Sequence, residues 1–230
     1  MAAEPRLLAL VHSPLTGPST WRPVERALRA LGASALAVDY GGVSGPDWYE
    51  APARRLTRAL APGSPVIVVA HSGAGGLAPS VVEALGARAA GVVFVDAILP
   101  HPGNAWVDTA SPALVERLRR RAKDGCAPRW DLWFGERALC VLIPDPERRA
   151  AFRADLPLTP MAYLEAVAPA CDSWQALPLA YVRLSGSYDA EADTAENLGW
   201  RVWREPLSHL AVIGQPDLVA QALVRAADGL

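Results

Sequence analysis

The apolar residues of this chain change period repeatedly, from unbroken aliphatic runs to stripes at helical spacing. That alternation restricts the fold to a mostly parallel sheet clothed by helices. Leu7–Val11 is the first run and reads as a buried strand, ended by His12 and a Ser-Pro, Gly-Pro loop. Trp21, Val24, Leu28 and Leu31 then recur at helical spacing ahead of Gly32, a natural helix stop. A second strand, Ala35–Val38, enters an Asp39-Tyr40-Gly41-Gly42 turn, and residues 48–60 form the next helix, closed by Pro62 and Gly63. The β-branched strand at 66–69 runs straight into His71-Ser72-Gly73, followed by a helix over 73–85 and a strand over 92–95 that ends at Asp96. Strands at 180–184 and 201–203 resume the sheet, and a helix at 216–227 closes it.

Between these halves the pattern changes. Residues 97–177 read as helical pieces interrupted by prolines such as Pro112, Pro128, Pro146 and Pro160, with no convincing strand. The expected architecture is therefore a single α/β domain over residues 1–230, a doubly wound sheet with a helical cap inserted at 97–177. With 51% hydrophobic and 20% charged residues, a chain of 230 residues has the composition to build one such core.

Charge and composition exclude several function classes. A net charge of -2 gathers no phosphates, and no basic cluster is interleaved with aromatics, so nucleic acid is not an expected partner. The basic run Arg117, Arg119, Arg120, Arg121, Lys123 shares a helix with Leu114, Leu118 and Ala122 and reads as a solvated face. No apolar stretch reaches the ~18 residues of a membrane span, and Glu4 and Arg6 precede only a short aliphatic run without a cleavage site, so neither membrane nor export is expected. Cys126, Cys140 and Cys171 are odd in number and lack metal-ligand spacing, which suits a reducing cytoplasm. Without a phosphate-cradling loop or metal-ligand cluster, no cofactor and no metal are expected; the partner is a small-molecule substrate.

The chemistry centres on Ser72. A serine between a buried strand and a helix sits on a tight turn that projects its hydroxyl and presents the next backbone N–H at a helix start. Such a turn usually reads Gly-x-Ser-x-Gly; here Ala70 and Ala74 hold the flanking positions, with Gly73, Gly75 and Gly76 supplying room nearby. The plainer reading is a serine that caps a helix. What favours catalysis is the residue order downstream, where His209 lies after the last strand and before the closing helix, placed to act as general base and acid. The orienting acid is read as Asp189, in the loop after the penultimate strand, with Asp96 as its rival. Glu191, Asp193 and Glu196 read as a solvated helix face. Trp106, Trp130, Trp133, Phe134 and Trp174 either line an apolar cleft over Ser72 or, more commonly for such spacing, pack the cap onto the sheet.

Taken together, Leu10-Val11-His12, Ala70-His71-Ser72-Gly73, Val93 to Asp96, Gly186 to Asp189 and Ser208-His209-Leu210 resemble the α/β-hydrolase superfamily, in particular its small serine esterase and hydroxynitrile-lyase-like branch. The resemblance implies a Ser-His-Asp triad acting on an ester, thioester or lactone. One departure stands out. Where family members carry a backbone N–H that joins Gly73 in binding the oxyanion, this chain has Pro14, which has none; the replacement donor is the Ser13 hydroxyl or the Leu15 N–H. The same position leaves open a cofactor-free lyase or cyclase reusing the triad, or a catalytically inert binding protein. Leu210, where the hydroxynitrile lyases place a lysine, disfavours cyanohydrin cleavage.

Overall fold

The computed structural model describes residues 6–133 and 135–230. Six strands, β1 (Leu7–Val11), β2 (Ala35–Val38), β3 (Val66–His71), β4 (Ala89–Val95), β5 (Leu179–Arg183) and β6 (Arg201–Arg204), form one sheet in the order β2-β1-β3-β4-β5-β6. All neighbouring pairs are parallel. β3 is buried along its whole length, which is why it reads as an unbroken aliphatic run rather than an alternating one.

The chain winds outward from β1 to β2, then returns across β1 to start β3 and winds the other way. With right-handed crossovers this reversal sends α1 (Arg22–Ala30) to one face and α2 (Glu50–Ala59) and α3 (Ala78–Leu85) to the other. The packing follows: α2 lies against α3, while α1 lies against the closing helix α10 (Pro216–Asp228). α1 carries Pro23 in its first turn, buries Val24 and Leu28 one turn apart, and is followed by Gly32 at φ +82°. The reversal opens a crevice between the carboxyl ends of β1 and β3, where ligands of such sheets bind. Register brings these ends level, Val11 beside Ala70 and Ala70 beside Phe94.

Between β4 and β5 the described residues form five α-helices: α4 (Trp106–Thr109), α5 (Pro112–Arg121), α6 (Glu136–Leu142), α7 (Pro146–Ala154) and α8 (Met161–Glu165). Asp155, after α7, accepts hydrogen bonds from the Ser19 backbone N–H at 2.8 Å and its hydroxyl at 2.6 Å, tying this segment to the loop after β1. Trp174 faces the sheet domain, packed edge-on to Phe94 and Trp200. Phe134 lies outside the described residues. No described helix is long and apolar enough to cross a membrane.

The expected helix at 73–85 differs in its first turn, where Ser72–Gly76 winds as a tighter 3₁₀ turn before α3 begins. Close backbone approach explains this. A Cβ on Gly75 would stand 1.8 Å from the Ile98 carbonyl oxygen, and one on Gly76 2.6 Å from His101 Nε2. The glycines after Ser72 therefore let the turn nest against the chain leaving β4. Gly75→Ala is expected to destabilise the protein by about 2 kcal/mol or more, the range for overpacking without room to relax, read as a lower urea unfolding midpoint. An unchanged midpoint would show that the two segments can part freely.

Candidate active site

Ser72 follows β3 in the left-handed region, at φ +57°. A non-glycine residue held there is strained, and the neighbouring structure must maintain it. Its carbonyl accepts from Ile98 N–H at 3.2 Å, and Gly73 leaves room for Ser13 Oγ, which lies 2.7 Å from where a Cβ on residue 73 would stand. The turn is fixed on both sides, and the Ser72 hydroxyl projects into a cavity of about 810 Å³.

His209 reaches that hydroxyl from the loop after β6. Ser72 Oγ donates to His209 Nε2 at 3.2 Å, and His209 Nδ1–H donates to Asp96 Oδ2 at 2.9 Å. Ser72 and His209 thus meet as their positions in the sequence imply, but the expected acid does not join them. Asp189 is the first residue of helix α9 (Asp189–Asn197), its carboxylate is paired with Arg183 Nε at 2.8 Å, and its side chain is 55% exposed. A helix N-terminus and an arginine both favour that carboxylate where it stands. Asp96 takes the place beside the imidazole.

The surroundings of Asp96 are built for a buried charge. The residue has no solvent exposure. Oδ1 accepts from the backbone N–H groups of Leu184 at 2.7 Å and Ser185 at 2.9 Å, while Oδ2 accepts from Ser185 Oγ at 2.6 Å and from His209. Burial pushes the carboxyl pKa up, but the bonds from His209 and Ser185 outweigh it and hold the group below the usual carboxylate range. Asp96 is itself left-handed, at φ +43°, and Tyr181 braces the next residue by accepting from Ala97 N–H at 3.0 Å and donating to Ala97 O at 2.7 Å.

The imidazole of His209 is sandwiched. His71 stacks on one side at 4.7 Å and Tyr188 on the other at 5.0 Å, with Trp130 6.2 Å away. His71 Nε2–H also donates to the His209 carbonyl at 3.1 Å. Burial first, and the adjacent His209 charge second, push the His71 pKa down to about 3, so this ring stays neutral. Sequence reasoning missed Tyr188, whose hydroxyl stands 3.5 Å from Ser72 Oγ, and Ser185. It also placed Glu191 on a solvated face, whereas Glu191 lines the cavity and Asp193 and Glu196 pair with Arg204.

The cavity has two kinds of wall. Trp106, Trp130 and Trp133 line its cap side, so these aromatics border the cleft. Ser185, Ser187, Tyr188, Glu191 and Ser208 line the sheet side with polar groups. On the β1 side, Leu15 N–H donates to Ser13 Oγ at 3.2 Å, and Thr159 Oγ1 donates to the Pro14 carbonyl at 3.0 Å. Ser13 is buried behind Gly73, while Leu15 and Gly73 border the cavity. Among the described residues no cluster of three or more histidine, cysteine or acidic side chains could hold a metal.

An alpha/beta hydrolase family model matches residues 8–222. The chain belongs to the alpha/beta hydrolase family. Solved structures with this fold include an extracellular alpha/beta-hydrolase from a Paenibacillus species, 18% identical over 96% of this chain and 99% of that one, with a TM-score of 0.75. A pyrethroid hydrolase from Sphingobium faniae is 18% identical over 97% of both chains, with a TM-score of 0.71. Tomato methylketone synthase I is 14% identical over 97% of this chain and 98% of that one, with a TM-score of 0.67. No curated protein sequence matches.

The neutral, buried His71 sets a pH dependence of stability. Above the ordinary histidine value of about 6.5, both the folded and unfolded chains leave this ring neutral. Below it the unfolded chain takes up a proton that the folded chain refuses until about pH 3. Folding stability therefore falls with pH across that window, by up to about 1.4 kcal/mol per unit from this residue. Urea unfolding from pH 7 to 4.5 is expected to show a shallower decline in His71→Gln than in the native protein; equal slopes would contradict it.

Proposed function

We propose that this hydrolase is a serine hydrolase that cleaves a small-molecule ester, thioester or lactone, with Ser72 as nucleophile, His209 as general base and acid, and Asp96 orienting His209. The observation that carries the reading is the unbroken hydrogen-bond chain from Ser72 Oγ through both imidazole nitrogens to Asp96. Asp96 fixes the tautomer by taking the Nδ1 proton, which leaves Nε2 free to receive the proton of Ser72 as Oγ attacks the acyl carbon. The same proton then passes from Nε2 to the departing oxygen or sulfur. Gly73 N–H, at the start of the 3₁₀ turn, is one donor to the oxyanion. Water enters for the second half of the reaction, and His209 repeats its part on the acyl-enzyme. The aromatic cap wall suits an apolar substrate portion, and the serine hydrolase reading agrees with the hydrolases among the similar folds. The proposed chemistry calls for no cofactor, and the chain's three free cysteines, Cys126, Cys140 and Cys171, suit a reducing cytoplasm.

One observation favours a second reading. Pro14 offers no N–H, and the Leu15 N–H is turned toward Ser13 Oγ, which leaves the Ser13 hydroxyl beside Gly73 in place of the usual backbone N–H as second oxyanion donor. A lyase or cyclase that uses the three residues only to move a proton needs no acyl-enzyme.

The readings separate on two measurements. A fluorophosphonate probe is expected to add one label to the native protein and none to Ser72→Ala, and activated esters are expected to turn over only with the native protein. Labelling without turnover would favour proton-relay chemistry, and labelling that survives Ser72→Ala would exclude the nucleophile. Asp96→Asn is expected to lower kcat by about 10³–10⁴-fold, as loss of the orienting carboxylate does in triads. Asp189→Asn, which breaks only the pair with Arg183, is expected to stay within about threefold of native because an exposed ion pair contributes little. The reverse outcome would return the acid to Asp189.

A further inference from the structure

We propose that Tyr188 is a further catalytic residue, whose hydroxyl donates a hydrogen bond to the leaving-group oxygen as the ester bond breaks. The assignment rests on the serine hydrolase reading above. Its basis is where the sheet order puts each group around Ser72. β1 flanks β3 on one side, and the loop after β1 sets Ser13 against Gly73, the wall where the oxyanion forms. β4, β5 and β6 lie on the other side, and from their ends come Asp96, Tyr188 and His209.

The Tyr188 ring lies nearly parallel to the imidazole, at 12° and 5.0 Å between centres, so its hydroxyl approaches Ser72 Oγ from the histidine side. The oxygen found there in the tetrahedral intermediate is the one that leaves, because it must take its proton from His209 Nε2. At 3.5 Å from Oγ the phenol is at the outer limit of a hydrogen bond, so little is lost when it turns toward substrate.

The step balances without another reactant. Oγ forms a bond to the acyl carbon while its proton passes to Nε2. When the oxyanion collapses, the carbon–oxygen bond of the ester breaks, its electron pair stays on the departing oxygen, and the proton on Nε2 transfers to that oxygen. Tyr188 keeps its own proton throughout and disperses the charge that builds before the transfer is complete. Burial favours this role by pushing the phenol up to about 12, so it remains a donor across the working pH range.

Tyr188→Phe removes the hydroxyl and keeps the ring that stacks on His209. The experiment measures kcat/KM for both proteins on esters of one acid whose alcohols run from p-nitrophenol to a simple alkanol, alongside the rate of fluorophosphonate labelling. A poor leaving group needs the donor and a good one does not. The expected result is a loss of about tenfold or more on the alkyl ester, little loss on the nitrophenyl ester, and labelling within about threefold of native, since fluoride departs unaided. A uniform loss along the series, or none, overturns the assignment while leaving the hydrolase reading intact. A native protein that neither labels nor cleaves esters overturns both.

Discussion

A carboxylate removed from water must be surrounded by donors, and the arrangement at Asp96 meets that requirement with groups from separate parts of the chain. Two backbone N–H groups and a hydroxyl come from the end of β5, and the remaining donor is His209. Any shift of β5 relative to β4 would leave a buried charge short of partners, at a cost larger than a neutral hydrogen bond's. The register Val95 to Val182 and the double bond between Tyr181 and Ala97 oppose that shift. The polar site and the apolar sheet are therefore one construction: strand pairing places the donors, and the donors make the charge tolerable.

Placing the carboxylate partner of His209 after β4 changes what the loop after β5 is free to do. Had Asp189 oriented His209, that loop would have been held to the imidazole edge. Instead Asp189 starts α9 and pairs with Arg183, and the turn just before it presents Tyr188 to the imidazole face. The histidine is thus confined by rings on both faces and by Asp96 at one edge, leaving Nε2 directed at Ser72. A neutral His71 matters here. At 4.7 Å it places no second positive charge beside the imidazole that the proposed mechanism uses as base.

Much of this was legible in the residues. β1 and β2 were read with their observed bounds, and the strand-turn-helix context around Ser72 outweighed the missing flanking glycines because the physical need is room rather than a pattern. Gly75 and Gly76 supply that room against Ile98 and His101. The acid was not legible. Asp96 and Asp189 both follow strands whose carboxyl ends lie on one edge of the sheet, and one-dimensional order does not say which carboxylate faces the imidazole. Two local signals bear on it in hindsight: Arg183, which gives Asp189 a partner of its own, and Ser185, whose hydroxyl and N–H have no other use at the end of a buried strand. Tyr188 falls within the Gly186 to Asp189 motif, but its place beside His209 is not legible there, because stacking on a ring distant in sequence leaves no trace in spacing. Glu191 was placed with its acidic neighbours on α9, but only one face of that helix meets solvent.

The β1 loop shows how the cap enters the chemistry without supplying a reacting group. Pro14 removes an N–H yet keeps its carbonyl, and that carbonyl is held by Thr159, a buried residue of the segment between β4 and β5. Asp155 holds Ser19 in the same loop, so the chain behind Gly73 is fastened at two points to the cap. Trp130, from that segment too, lies between the cavity and Phe152 and reaches toward His209. The loop behind Gly73 and the apolar half of the cavity are thus built on one segment, the chain between β4 and β5.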